Sequence, residues 1–127
     1  MRRMLLITLA LLAVSLSVCT LSMVHVNRAT EHCRRLRSQA ILAMDAGDVQ
    51  RAEETLVQLA DYLDTNSLWM QIVCDHGDLH AIKGEIIDAQ VSIEFGIEDD
   101  FYQAISRFGE GLEHIAELEK FSLSNIC

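Results

Sequence analysis

His76 and His80 stand four residues apart in WMQIVCDHGDLHAIKGEII, the stretch from Trp69 to Ile87 that also carries the chain's only tryptophan, Cys74, Asp75, Asp78 and Glu85. Two imidazoles at i and i+4 leave a helix from one face and can share a metal ion. A full ligand set needs further donors. Those on hand are Asp75, Asp78 and, from a later segment, His114 and Glu117. The spacing also has a plainer use. His76 follows Ile72 by four residues and precedes Leu79 by three, which puts it on the inner stripe of a helix as a hydrogen-bonded core or interface histidine. We expect that plainer use, with no bound metal and no cofactor; His76, His80 and His114 are the only metal candidates. Should His76 meet an inward carboxylate such as Glu119, the two would form a polar clasp between helices, favouring specific packing over stability.

Other arrangements that could do chemistry are missing. No serine, histidine and acid fall in a recognisable turn, and no glycine-rich loop is built to cradle phosphate. The acid pairs Glu53–Glu54 and Asp99–Asp100 read as a solvated helix face and a cap. Trp69 reads as a core anchor. An enzyme is therefore not expected.

The elements that must position these residues are helices. The 127-residue chain contains no proline, and Ala, Leu, Ile, Glu and Gln dominate it. Met4 to Val24 is a run of 21 residues without a charge, behind Arg2 and Arg3. It is long enough to cross about 30 Å of hydrocarbon as a helix. A secretory signal peptide competes with this reading, and LSVC at 16–19 brushes against a lipoprotein acceptor sequence, with Val18 where a small residue is needed. An uncleaved anchor over 1–26 and an acidic helical domain over 27–127 are expected.

Past the anchor the helix should continue from Asn27 to Met44 and stop at Gly47, with Asp48 as the next cap. Val49, Ala52, Leu56, Leu59, Ala60 and Leu63 then make one apolar stripe. A third helix is expected over Leu68–Phe95, with Leu68, Ile72, Leu79, Ile82, Ile86, Ala89 and Ile93 inward and Gly96 as its stop. A fourth, capped by Asp99 or Asp100, puts Phe101, Ala104, Ile105, Phe108, Leu112 and Ile115 inside. Because Glu119 would fall in the middle of that face, a bend near Ala116 and a short terminal turn are expected. Shifting the chain by 52 residues lays Asp48 over Asp100, Ala52 over Ala104, Leu56 over Phe108, Leu63 over Ile115 and Trp69 over Phe121. The echo suggests two helical hairpins of similar design. The expected fold is all-α: an N-terminal transmembrane helix leading into an antiparallel bundle of about four helices.

Charge divides between the two parts. Residues 38–127 carry four cations against eighteen acids, a net of −14, whereas six of the ten cations lie before residue 38. Such a domain repels nucleic acid and anionic lipid. Arg28, Arg34, Arg35 and Arg37 could sit against lipid headgroups. The arginines on either side of the apolar run pull orientation in opposite directions under the positive-inside bias; we expect the domain outside the cytoplasm. Of the four cysteines, Cys19 lies in the apolar run. Cys33, Cys74 and Cys127 have no zinc spacing and read as thiols, with a Cys74–Cys127 or intermolecular disulfide as the alternative.

DHGDLHAI at 75–82, followed by LEHIAELEKFSLSNI at 112–126, resembles the small bacterial proteins grouped as domain of unknown function 4363. The likeness rests on Trp69, His76, His114, Ile115, Glu119, Leu123, Asn125 and Ile126. It departs at Gly77 and His80, where relatives more often carry acids, and at Ala116, where many carry proline. The resemblance implies one membrane segment before a short helical domain, an origin in clostridia or related Gram-positive bacteria, and Trp69, His76, His114, Glu119 and Asn125 as structural or interaction residues. It brings no activity. The function expected is an adaptor or assembly factor at the outer face of the cytoplasmic membrane, bound to the membrane by its first helix and to a protein partner or a second copy. The alternative is a small sensor or ligand-binding helical module.

Overall fold

The computed structural model describes residues 1–73 and 76–126, with the backbone alone at 69, 72, 73 and 119–126. Its elements are α1 (Arg2–Asp45), α2 (Val49–Thr65), α3 (Ser67–Val73), α4 (His76–Phe95) and α5 (Glu98–Ile126), and no strand occurs among the described residues. The all-α expectation holds. α1 packs against α2 and α5, and α4 against α5 and α2, so four long helices close into a ring in which sequence neighbours run antiparallel.

Two turns at one end of the bundle make the hairpins. Gly47 and Gly96 adopt φ of +76° and +71°, a left-handed conformation that side chains with a Cβ disfavour. At the first turn the Asp48 amide donates to the Ala43 carbonyl at 2.9 Å and that of Gly47 to Met44 at 3.0 Å. At the second, Ile97 donates to Ser92 at 2.9 Å and Gly96 to Ile93 at 3.1 Å. Each pair satisfies carbonyls that a helix end would otherwise leave bare. These turns lie 49 residues apart, and at that shift buried Ala40, Ala52, Leu56, Leu59 and Leu63 fall on buried Ala89, Phe101, Ile105, Phe108 and Leu112. The structural register of the two hairpins is thus 49 rather than the 52 suggested by residue likeness.

The core forms two layers. One, near the glycine turns, joins Ala40, Met44, Leu56, Ala89, Phe101 and Ile105; the other, toward the apolar end of α1, joins Cys33, Leu59, Leu63, Leu79, Ile82 and Phe108. The inner face expected for the last helix is buried at all six positions, and that of α2 at Ala52, Leu56, Leu59 and Leu63. Cys33 is a fully buried thiol on α1, and burial pushes its pKa up to about 12. Cys74 and Cys127 lie outside the described residues.

Four expectations need correction. The third helix is described as α3 and α4, on either side of residues 74–75, which lie outside the described residues; on it Leu68, expected inward, is exposed and Met70 is buried in its place. His76, expected on the inner stripe, is exposed, as is His80. α5 passes through Ala116 without a break, its AELEK run being made of good helix formers. Asp99 and Asp100 sit with Glu98 in the first turn of α5, where they favour its amino end, and neither is the cap. As expected, α1 continues unbroken past residue 26, and burial begins at Val26.

The glycines test these turns. Gly47→Ala and Gly96→Ala should each lower the unfolding free energy by about 1 kcal/mol. Gly84→Ala, in the middle of α4 with open space around its missing Cβ, should raise it by roughly 0.5–1 kcal/mol. Urea unfolding of the full chain in detergent micelles reads all three, and equal effects at Gly84 and Gly96 would contradict the turn assignment.

Candidate functional site

Three surface features carry the domain's unusual chemistry, and none is the histidine cluster considered at the outset. His76 and His80 share an exposed face in the first turns of α4. His114 is exposed on α5, in a cleft against α1. Among the described residues no group of three or more His, Cys, Asp or Glu side chains is gathered to hold a metal ion. The side chains of Trp69, Glu119 and Asn125 lie outside the described residues, so the His76–Glu119 clasp is placed only at its exposed histidine end.

The seam between α1 and α5 is the first feature. The Arg34 guanidinium donates to both carboxylate oxygens of Glu113, at 2.6 and 2.8 Å, and to Glu31 at 2.6 Å. Hydrogen bonding to Glu113, then to Glu31, raises the Arg34 pKa above its ordinary value. Three residues on, Arg37 donates from Nε to the Ile105 carbonyl at 3.0 Å and lies over Gly109, where a Cβ would stand 2.7 Å from that nitrogen. The cleft beside them, of about 430 Å³, is lined by these arginines, His114 and the carboxylates Glu110, Glu113 and Glu117. With two guanidinium groups already facing those acids, the cleft is an ion-pairing seam and a poor cation site.

The glycine-turn end is the second. Phe95 is 71% exposed, and Ile97 and Val49 are close to half exposed. Val49, Ile93, Ile97 and Phe101 surround a small hollow of about 80 Å³. Residues 45–50 and 94–100 contribute six acids, Asp45, Asp48, Glu94, Glu98, Asp99 and Asp100, and no lysine or arginine. All six are exposed. Tyr102 donates its hydroxyl to Asp45 at 2.5 Å, and this bond, helped by desolvation and by the charges of Asp45 and Glu98, pushes the phenol up to about 12. The result is an apolar tip with an acidic rim, at the end of the bundle opposite the apolar half of α1.

The third is a groove of about 520 Å³ where that apolar half ends, bounded by Val24, Arg28, His32 and Arg35 of α1 and by Tyr62 of α2, whose ring centroid is 4.3 Å from that of His32. Sequence reasoning noted all four arginines without telling the two groups apart. It missed the tip, although Phe95 and Ile97 on either side of Gly96 lie off every inner stripe and could have pointed to it.

A family model described as domain of unknown function (DUF4363) matches residues 20–126. No curated protein and no solved structure matches the chain.

Two measurements probe the geometry. In a double-mutant cycle of Arg34→Ala and Glu113→Ala, the half-exposed pair should show a coupling of about 0.5–1 kcal/mol that shrinks in molar salt. A coupling indifferent to salt would count against an ionic seam. Cys33 and Tyr102 both hold their protons more tightly folded than unfolded, so their stabilising effect is complete below 9.0 and 10.0 respectively and is lost as pH rises toward about 12. The unfolding midpoint should be level to about pH 9 and fall from there to pH 12, and Tyr102→Phe should make the fall above pH 10 shallower while leaving the Cys33 part in place.

Proposed function

The chain belongs to the DUF4363 family, and from that premise we propose that it works by contact, as a membrane-anchored adaptor or assembly factor holding an acidic helical domain outside the cytoplasmic membrane. The observation that carries this reading is the tip. Exposed Phe95, Ile97 and Val49 inside a rim of six acids make an apolar centre with a charged border, the anatomy of a protein-binding patch. The fitting partner is basic around an apolar contact, such as a cationic protein segment associated with the cell wall. Its encounter would be steered by charge and weakened by salt.

Support for the anchor comes from α1. Its long apolar half could serve as a membrane anchor or a signal sequence, and none of it is buried by the domain. The same helix continues without a turn into the bundle wall, so an anchor would hold the tip at a set distance from the bilayer. With 1.5 Å per residue, Asp45 stands about 30 Å beyond Val24. No catalytic step forms part of this reading. A sensor or metal-binding role draws no support from His76 and His80, which face solvent with no third ligand gathered beside them among the described residues.

Photo-crosslinking in intact cells tests the tip. A crosslinking amino acid at Phe95 should give a discrete adduct, absent when the same group replaces exposed Val57 on α2 and lost after Asp99→Lys with Asp100→Lys. Equal crosslinking at both positions, or an adduct indifferent to charge reversal, would sink the proposal. Alkaline phosphatase fused after Cys127 should be active; a fusion active only as a cytosolic fluorescent reporter would reverse the orientation.

A further inference from the structure

The four arginines beyond the apolar run divide into two pairs, and only one pair serves the fold. Arg34 and Arg37 face α5 and are held by Glu113, Glu31 and the Ile105 carbonyl. Arg28 and Arg35 lie on another face of α1, seven residues and therefore about 20° apart around the helix. Both are exposed, and among the described residues neither has an ion-pair or hydrogen-bond partner. In a chain of net charge −9 with all nineteen acids in the same domain, two unpaired cations on one face call for another explanation than pairing. The one carboxylate in their groove, Glu31, is already engaged by Arg34 at 2.6 Å.

We propose that the groove between Arg28, His32, Arg35 and Tyr62 binds the phosphate of an anionic phospholipid headgroup, fixing the depth and rotation of the domain on the membrane. The chemistry is that of a phosphodiester held by two guanidinium groups. Position selects the lipid over free phosphate. Val24, the last residue of the apolar run, forms one end of the groove, and Arg28 lies about 6 Å beyond it, within the headgroup layer. Side chains on a helix tilt toward its amino end. On α1 that end is the apolar one, so Arg35, His32 and Arg28 lean toward the bilayer along one side of the groove. Tyr62 closes the groove from α2 with an amphipathic ring of the kind found at membrane interfaces.

This inference rests on residues 4–24 lying in a bilayer, and the experiment separates the two. The full chain is reconstituted into vesicles and washed with alkaline carbonate; extraction of the wild type from vesicles would overturn the anchor itself. The retained protein is then taken into a neutral detergent, and short-chain phosphatidylglycerol or phosphatidylcholine bound per chain is read by native mass spectrometry. Phosphatidylglycerol should bind preferentially, and Arg28→Gln with Arg35→Gln should weaken it roughly thirtyfold while the variant stays carbonate-resistant and equally helical. Arg51→Gln, which removes an exposed cation elsewhere, should leave binding unchanged. Arg28→Lys with Arg35→Lys, which keeps the charge, should retain the preference in part. Equal binding by wild type and the double glutamine variant would overturn the inference, as would displacement of the lipid by millimolar inorganic phosphate.

Discussion

The structure depends on α1 remaining one helix while its surroundings change completely. Over its first half every large apolar side chain faces outward, and from Val26 onward the same helix is a wall of the bundle. A break at the junction would uncouple the two, and the sequence offers none: no proline occurs, and three hydroxyls in the apolar half turn back on their own backbone. Thr8, Ser17 and Thr20 donate to the carbonyls of Met4, Ala13 and Leu16 at 2.8, 2.8 and 2.9 Å. In hydrocarbon such internal partners keep a hydroxyl from being stranded. The geometry of the domain is in this way inherited from its first helix.

A polarity follows from that inheritance. Both glycine turns fall at the far end because α2 and α5 each reverse the direction set by the helix before them, so the acids that flank the turns collect at one tip. The four early arginines stay at the other end because α1 fixes them just beyond its apolar half. The domain is acidic where it meets solvent furthest from the apolar segment and basic where it approaches it. Neither helix propensity nor core packing demands this separation, which is why it reads as function.

Much of this was legible residue by residue. Phe101, Ala104, Ile105, Phe108, Leu112 and Ile115 declare the inner face of α5 because an apolar residue at each step of three or four leaves no other choice. Gly47 and Gly96 declare the turns because each lies just past a periodic run. The exposure of Leu68 was not legible, since Leu68, Ile72 and Leu79 fit one inward phase by spacing and only packing decides which of them is covered. His76 was misplaced for the same reason: three residues before a buried Leu79 is an inward position by periodicity, yet the side chain is exposed.

The roles of the arginines were hidden for a different reason. Arg28, Arg34, Arg35 and Arg37 are chemically alike and lie within ten residues, so their difference resides in a partner some seventy residues away. α5 supplies Gly109 and Glu113 at a spacing of four, one helical turn, which matches the spacing of three between Arg37 and Arg34 running the opposite way. Gly109 is the selective element. Its missing side chain lets a guanidinium lie directly on α5 and reach the Ile105 carbonyl, whereas an added Cβ would push the guanidinium aside. The register of α1 against α5 is therefore fixed by a hole and a charge together. Because that register claims the arginine face at 34 and 37, the face at 28 and 35 is left for whatever lies outside the fold.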